Sequence, residues 1–292
     1  MLSKELLLKV KLIEITTRKI VDDVLSGQYR THFKGQGVQF SEHRLYVPGD
    51  DVRHINWNVS ARTREPLVKK FDEEREVSVF IVVDISASHG FGSHAKLKSE
   101  IAAQVGGMLA YAASHAGDKV GVLLFAGKVE KIIPPKKGQQ HILRVIRDIL
   151  SYTPESKGTQ LAVALDATGR IMKHSGVVFI LSDFRAEKYE SALKRLASTH
   201  DVVVVSLGDE REQIMPDIGQ ILFVDPETGD ERFVNTSSYA FKNWFQAEQE
   251  RLETYQKNVF KKSGVEVLKI LTKDDYAEAV VRFFRARARR KR

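Results

Sequence analysis

The chain has 292 residues, enough for one large domain or two modest ones, and its 42% hydrophobic and 29% charged residues exclude wholesale disorder. It contains no cysteine, which excludes disulfides, thiolate nucleophiles, zinc fingers and iron–sulfur centres together and fits a reducing compartment. The net charge is +8, but residues 282–292 hold seven basic side chains (Arg282, Arg285, Arg287, Arg289, Arg290, Lys291 and Arg292) and no acid, so about +1 remains for everything before them.

At the start of the chain Leu6, Val10, Ile13, Ile20 and Val24 keep a three-to-four spacing. The spacing predicts an amphipathic helix over about residues 3–25, ended by Ser26-Gly27. Charges interrupt Met1–Lys9 and no small-residue cleavage site follows, so no signal peptide is expected. No apolar run approaches the ~18–20 residues that cross a bilayer, and the expectation is a soluble, cytoplasmic protein. Residues 27–75 show no clean period. Scattered aromatics and the turn Pro48-Gly49-Asp50-Asp51 predict short strands and loops beside the main domain. The organisation expected is therefore an N-terminal helix and accessory segment over 1–75 and a main domain over 76–292.

From residue 76 the pattern changes. Four β-branched runs, Val77–Val83, Lys119–Phe125, Val177–Leu181 and Asp201–Leu207, are continuously apolar, as suits strands buried on both faces. Helical periods lie between them, over about 95–116, 139–150, 160–173 and 187–199. Strand alternating with helix predicts an α/β fold, a doubly wound and mostly parallel sheet flanked by helices. Residues 222–234 predict a hairpin around a Pro/Gly turn. Phe241 to Val259 predict a further helix, Val265–Leu271 a last strand, and a final helix runs from about Asp274 into the basic tail. The Gly106-Gly107 pair inside a predicted helix implies close packing on the sheet.

Ligands of doubly wound folds bind at the carboxyl ends of the strands. The first run ends in Asp84-Ile85-Ser86-Ala87-Ser88, the third in Ser182-Asp183, and Gly158-Thr159 precedes a helix. Asp84, Ser86, Ser88, Thr159 and Asp183 are hard oxygen donors, a set suited to Mg²⁺ or Mn²⁺ and not to zinc. Each residue alone also fits a turn or a helix cap. Their common position at one sheet edge is what favours a metal site.

The pattern Asp84-x-Ser86-x-Ser88, Thr159, Asp183 resembles the metal-ion-dependent adhesion site of von Willebrand factor A domains. More specifically, the chain resembles the bacterial "domain of unknown function" family 58, which contains such a domain. The likeness extends to Tyr46–Arg53, Trp57–Thr63, Val68–Arg75, Phe91-Gly92-Ser93, Asp225–Gly229, Asp274-Asp275-Tyr276 and Phe283-Phe284-Arg285. It implies a divalent-metal-dependent protein-binding domain without catalytic activity. Ser86 and Ser88 would bind the metal directly, Thr159 directly or through water, and Asp84 and Asp183 mostly through water. An acidic residue of a partner would complete the coordination. The resemblance implies a MoxR-type AAA+ ATPase, or a client protein of it, as that partner. Ala87 stands where glycine is common, His89 where an apolar residue is common, and Asn56 where aspartate is frequent. His89 reads as a surface-loop residue. His89, Phe91, Arg53, Trp57 and Arg62 are candidates for partner contact, and ion pairing among Arg44, Asp50, Asp51, Arg53, Arg62 and Arg64 would fasten the N-terminal segment to the main domain.

Three rival readings are weaker. Gly90-Phe91-Gly92-Ser93-His94-Ala95 fits a dinucleotide-binding pattern, but Asp84–Ser88 occupies the turn where its glycines belong. A hydrolase or metal-dependent phosphatase could use the same edge with Ser86 or Ser88 as nucleophile, yet no base with an orienting partner is evident. The basic tail could bind nucleic acid, another polyanion or an anionic membrane surface, though basic residues at a helix end also complement its dipole.

Overall fold

The apolar stripe at the start of the chain forms helix α1 (Lys4–Ile20). Val10, Ile13 and Thr17 are buried, while Leu8, Leu12 and Ile15 are exposed. The computed structural model describes residues 4–21, 39–72, 77–93, 96–224 and 229–290. The expected stop at Ser26-Gly27, the motif residues Glu73–Arg75, His94-Ala95 and the turn at Asp225–Thr228 lie outside them. Contacts divide the chain into two units, residues 33–77 and residues 1–32 with 78–292. Helix α1 thus groups with the larger unit and not, as expected from its place in the chain, with the segment up to residue 75. Its spacing alone could not say which partner its stripe would find.

The smaller unit consists of β1 (Gln39–Leu45), α2 (Trp57–Thr63) and β2 (Leu67–Asp72), with β1 and β2 antiparallel. Helix α2 was expected as strand or loop because it lacks an apolar stripe. Its one buried residue is Ser60, whose Oγ accepts the Leu67 N–H at 2.8 Å. The charged residues close turns within this unit. Arg44 donates twice to Asp50 at 2.7 and 2.6 Å, and Asp51 accepts from the Arg53 backbone N–H at 2.9 Å. Asn56 offers its amide to His43 Nε2 at 2.8 Å, a neutral contact where an aspartate would bring charge.

The larger unit continues with β3 (Ser78–Asp84), α3 (Lys98–His115), β4 (Lys119–Phe125), β5 (Val129–Lys136), α4 (Gln139–Ser151) and α5 (Leu161–Ile171). Then come β6 (Val177–Ser182), α6 (Glu190–Thr199), β7 (Asp201–Gly208) and the single turn α7 (Glu210–Gln213). β8 (Gln220–Val224), β9 (Glu231–Asn235), α8 (Tyr239–Ser263), β10 (Glu266–Leu271) and α9 (Tyr276–Arg290) complete it. Six strands form one sheet in the order β10-β7-β6-β3-β4-β5. All neighbours are parallel except the β4–β5 pair. The doubly wound α/β class expected from the alternating runs is the one observed. β5 went unpredicted because its pattern is weak. Pro134 and Pro135 are tolerable there because it is an edge strand. β8 and β9 form the expected hairpin as a separate antiparallel pair.

Side chains alternate between the sheet's two faces. Phe80, Val82, Val178, Ile180, Val202 and Val204 pack under α5, α6 and α8. On the other face, α3 lies against β3 and β6, with α4, α1 and α9 beside it. The glycine pair marks that contact. A Cβ on Gly106 would stand 3.3 Å from Ile149 Cδ1 and 3.7 Å from Leu181, and one on Gly107 would stand 2.9 Å from Ile146 and 3.3 Å from Ile13. The sheet is thus one neighbour, and α4 and α1 are the closer ones. Among the described residues no helix is long and apolar enough to cross a membrane.

Candidate metal centre

The strand order reverses at β3, which sends β4 to one side while β6 lies on the other. This is the crevice at which doubly wound sheets bind ligands. Asp84 ends β3, and Ser182-Asp183 ends β6 beside it. Burial on both faces drives β3 through the core to Asp84, which is 1% exposed. The chain then turns at once. Asp84 Oδ1 accepts the Ser86 N–H at 3.0 Å, and a single 3₁₀ turn follows over Ala87–Gly90. Ser182 Oγ donates to Asp84 Oδ2 at 2.7 Å and accepts the Phe184 N–H at 3.0 Å. Phe184 takes the left-handed φ of 55°, which turns the chain sharply after Asp183.

Four of the five predicted metal-site residues are joined by hydrogen bonds. Ser86 Oγ and Ser88 Oγ lie 3.1 Å apart, and Ser88 Oγ donates to Asp183 Oδ2 at 3.2 Å. Asp84 is held to the same loop through the Ser86 N–H. Thr159 is half-buried and not part of this bonded group among the described residues, but its loop is pinned at the same edge. The Gln160 N–H donates to Ala126 O at 2.8 Å just past β4. A Cβ on Gly127 would stand 2.0 Å from Lys157 O, so only glycine admits this approach. Ser156 reinforces the loop, with its N–H and Oγ donating to Glu130 at 2.9 and 2.5 Å.

Two residues of the site were missed or misjudged from sequence. His89, expected on the surface, is 1% exposed, with Nε2 3.7 Å from Asp84 Oδ2. The turn that presents the serines rolls its ring inward, so it is not available for contact with a partner. Lys98 is fully buried and donates to Asp183 Oδ2 at 3.0 Å and to Glu212 Oε1 at 2.7 Å. Another buried carboxylate, Asp209, ties the following loop to the ends of β7 and β10. It accepts from Ser93 N–H and Oγ at 2.8 and 2.6 Å, from Arg211 N–H at 2.8 Å, and from the Thr272 hydroxyl. Of the other partner candidates, Phe91 is 44% and Trp57 67% exposed, and Arg53 and Arg62 are exposed.

The two carboxyls at the centre behave oppositely. Burial pushes Asp84 above the usual carboxylate range. His89 pulls it down, and the charge of Asp183 pushes it further up. Burial opposes ionisation of Asp183 as well, but Lys98 and His89 outweigh it and hold that carboxyl at about 2. One atom each from Asp84, His89 and Asp183 can be chosen so that all lie within 4.8 Å of one another. Asp84, Asp183, Glu212 and Lys98 sum to about −2 when ionised, a charge that a divalent cation would neutralise. Buried carboxylates, two hydroxyls and a buried imidazole lacking hydrogen bonds among the described residues fit such a cation.

A doubly wound sheet with this serine loop and an aspartate at its switch point has a von Willebrand factor A-like fold. The chain belongs to the family described as "Protein of unknown function DUF58", whose pattern matches residues 42–255. An uncharacterised protein of Mycobacterium tuberculosis is 30% identical over 283 residues, which cover 96% of this chain and 89% of the relative. The uncharacterised protein YeaD of Bacillus subtilis is 27% identical over 128 residues, 44% of this chain and 30% of its own. Among solved structures, BatB of Bacteroides thetaiotaomicron aligns at 17% identity over 73% of this chain and 99% of its own, with a TM-score of 0.45. The VWA domain of SpRpn10 aligns at 11% identity over 70% and 94%, with a TM-score of 0.40.

Proposed function

We propose that this protein is a non-enzymatic interaction module whose binding of another protein depends on a divalent cation, Mg²⁺ or Mn²⁺, and that it works in the cytoplasm with a MoxR-type AAA+ ATPase in assembling or activating client proteins. The observation that carries the proposal is the convergence of Asp84, Ser86, Ser88 and Asp183 at one buried sheet edge. By family likeness Ser86 and Ser88 hold the ion directly, Thr159 directly or through water, and Asp84 and Asp183 mostly through water. When bound, the ion supplies an electrophilic position for a carboxylate of the partner. Ser182 and the Ser86 N–H orient Asp84, while Lys98 fixes Asp183, so the donors are set before a partner arrives. The ATPase rests on the family resemblance.

A hydrolase reading gains nothing from the serines. Neither ring nitrogen of His89 has a hydrogen-bond partner among the described residues, so neither serine is paired with it as with a general base. The test is a pull-down of a MoxR-type AAA+ ATPase from the same source, with and without chelator, using the natural chain, Asp84→Ala and Ser86→Ala. Capture is expected to vanish with chelator and in both variants. Capture unaffected by all three refutes the metal bridge. Metal-dependent phosphate-ester hydrolysis that disappears in Asp84→Ala would replace the module with an enzyme.

A further inference from the structure

We infer that His89 is a nitrogen ligand of this cation, so that the site selects an imidazole-accepting metal such as Mn²⁺ or Zn²⁺ over Mg²⁺. The inference rests on the metal-dependent reading above and names the ion class that reading leaves open.

The ring is 1% exposed, and neither Nδ1 nor Nε2 has a hydrogen-bond partner among the described residues. A neutral imidazole always carries one donor and one acceptor, and burying both unmet costs their hydration with nothing in return. An apolar side chain would fill the same space without that cost. A core histidine kept for packing alone is therefore poorly explained here.

Its position supplies the alternative. Nε2 stands 3.7 Å from Asp84 Oδ2, too far for a hydrogen bond. It is a natural spacing for two ligands of one ion, since donors each about 2.1 Å from a metal lie at most about 4.2 Å apart. The wider triangle of Asp84, His89 and Asp183 atoms, within 4.8 Å, needs a contraction of only about 0.6 Å to meet that limit. A cavity of about 340 Å³ lined by Asp84, Ser86 and His89, but not by Ser88 or Asp183, opens on one side of the ring. The backbone fixes the ring's place too. The His89 N–H donates to Ser86 O at 3.0 Å, so one turn presents both serines and the imidazole.

The consequence is chemical. Mg²⁺ is held almost wholly by oxygen and sheds water reluctantly, whereas imidazole suits Zn²⁺ and other borderline ions, and Mn²⁺ accepts both donor types. Replacing one oxygen by nitrogen shifts preference away from Mg²⁺.

The test uses the full chain. Pulsed electron paramagnetic resonance of the Mn²⁺-loaded protein is expected to show coupling to a ¹⁴N nucleus, absent in His89→Gln and His89→Leu. Calorimetry should show Mn²⁺ and Zn²⁺ binding tighter than Mg²⁺. Both variants should lose about tenfold or more in Mn²⁺ and Zn²⁺ affinity and keep that for Mg²⁺. Bound Mn²⁺ without nitrogen coupling in the natural chain, or an unchanged preference in the variants, overturns His89 ligation and leaves the metal reading standing. No binding of any of these ions by the natural chain at millimolar concentration overturns both. The natural chain's spectrum decides the matter even where a variant fails to fold.

Discussion

Lys98 is an ammonium group inside the site, bonded to the carboxylates of Asp183 and Glu212. Burial works against its charge, but those two carboxylates prevail and raise its affinity for a proton. Lys98→Met should therefore leave the buried Asp183 and the half-buried Glu212 without their cation and destabilise the metal-free protein by about 3 kcal/mol. Saturating Mn²⁺ should then raise the melting temperature more in the variant than in the natural chain, because the ion takes over the missing charge. Equal increments in a thermal melt would count against a shared electrostatic role. A clue to Lys98 existed in the sequence: it falls on the same helical stripe as Ile101, Ala102 and Val105, the face that α3 buries. His89 left no comparable sign, because the inward roll of a 3₁₀ turn is set by the tertiary fold. Asp209 is one contributor to acid stability. Burial opposes its charge, yet donors from Ser93, Thr272 and Arg211 hold the folded carboxyl at about 2, against an ordinary 3.8. A depressed carboxyl stabilises the fold above about pH 4, and this contribution of about 2 kcal/mol drains away as pH falls from 4 towards 2. Asp209→Asn should lose it at neutral pH and flatten that part of the stability curve, as measured by denaturant unfolding at several pH values.

Among the elements, α3 shows why packing overrides propensity. Alanine at Gly107 would gain up to about 1 kcal/mol of helix propensity. Its Cβ would press within 2.9 Å of Ile146 Cγ1, an atom close to the α4 backbone that cannot swing clear. Gly107→Ala should therefore come out about 1–2 kcal/mol less stable in denaturant titration, and a stabilised variant would show that α4 yields easily. The strands β3, β4, β6 and β7 were legible because burial on both faces demands unbroken apolar runs. β5 and α2 were not, since each buries a single residue, Ile133 and Ser60, and has no periodic face to display. The oxygen donors were legible for the same reason as the strands: a run that must end at a sheet edge announces what stands at its end. Thr159 was legible only as one residue before a helix. Gly127 and Gln160, which fix its loop, carry no pattern that links them to it.

For the whole molecule, the charge reads differently once the side chains have places. The basic stretch at residues 282–292 looked like a solvated helix end. Arg287 instead has a side chain only 3% exposed, donates twice to Asp201 at 2.6 Å and lies 3.4 Å from Glu266. One of the seven charges is thus spent inside the fold, on the first residues of β7 and β10, and the number open to a polyanion is smaller than the sequence count. The doubly wound plan followed from the order of apolar runs. The division into units did not, because α1 finds its partners far along the chain. The Arg287 clamp also has a practical corollary. It holds the end of α9 at the amino-terminal rim of the sheet, while Asp84 and Asp183 stand at the carboxyl rim. A fluorescent label placed on the last turn of α9 would therefore sit at the rim of this sheet opposite Asp84 and Asp183.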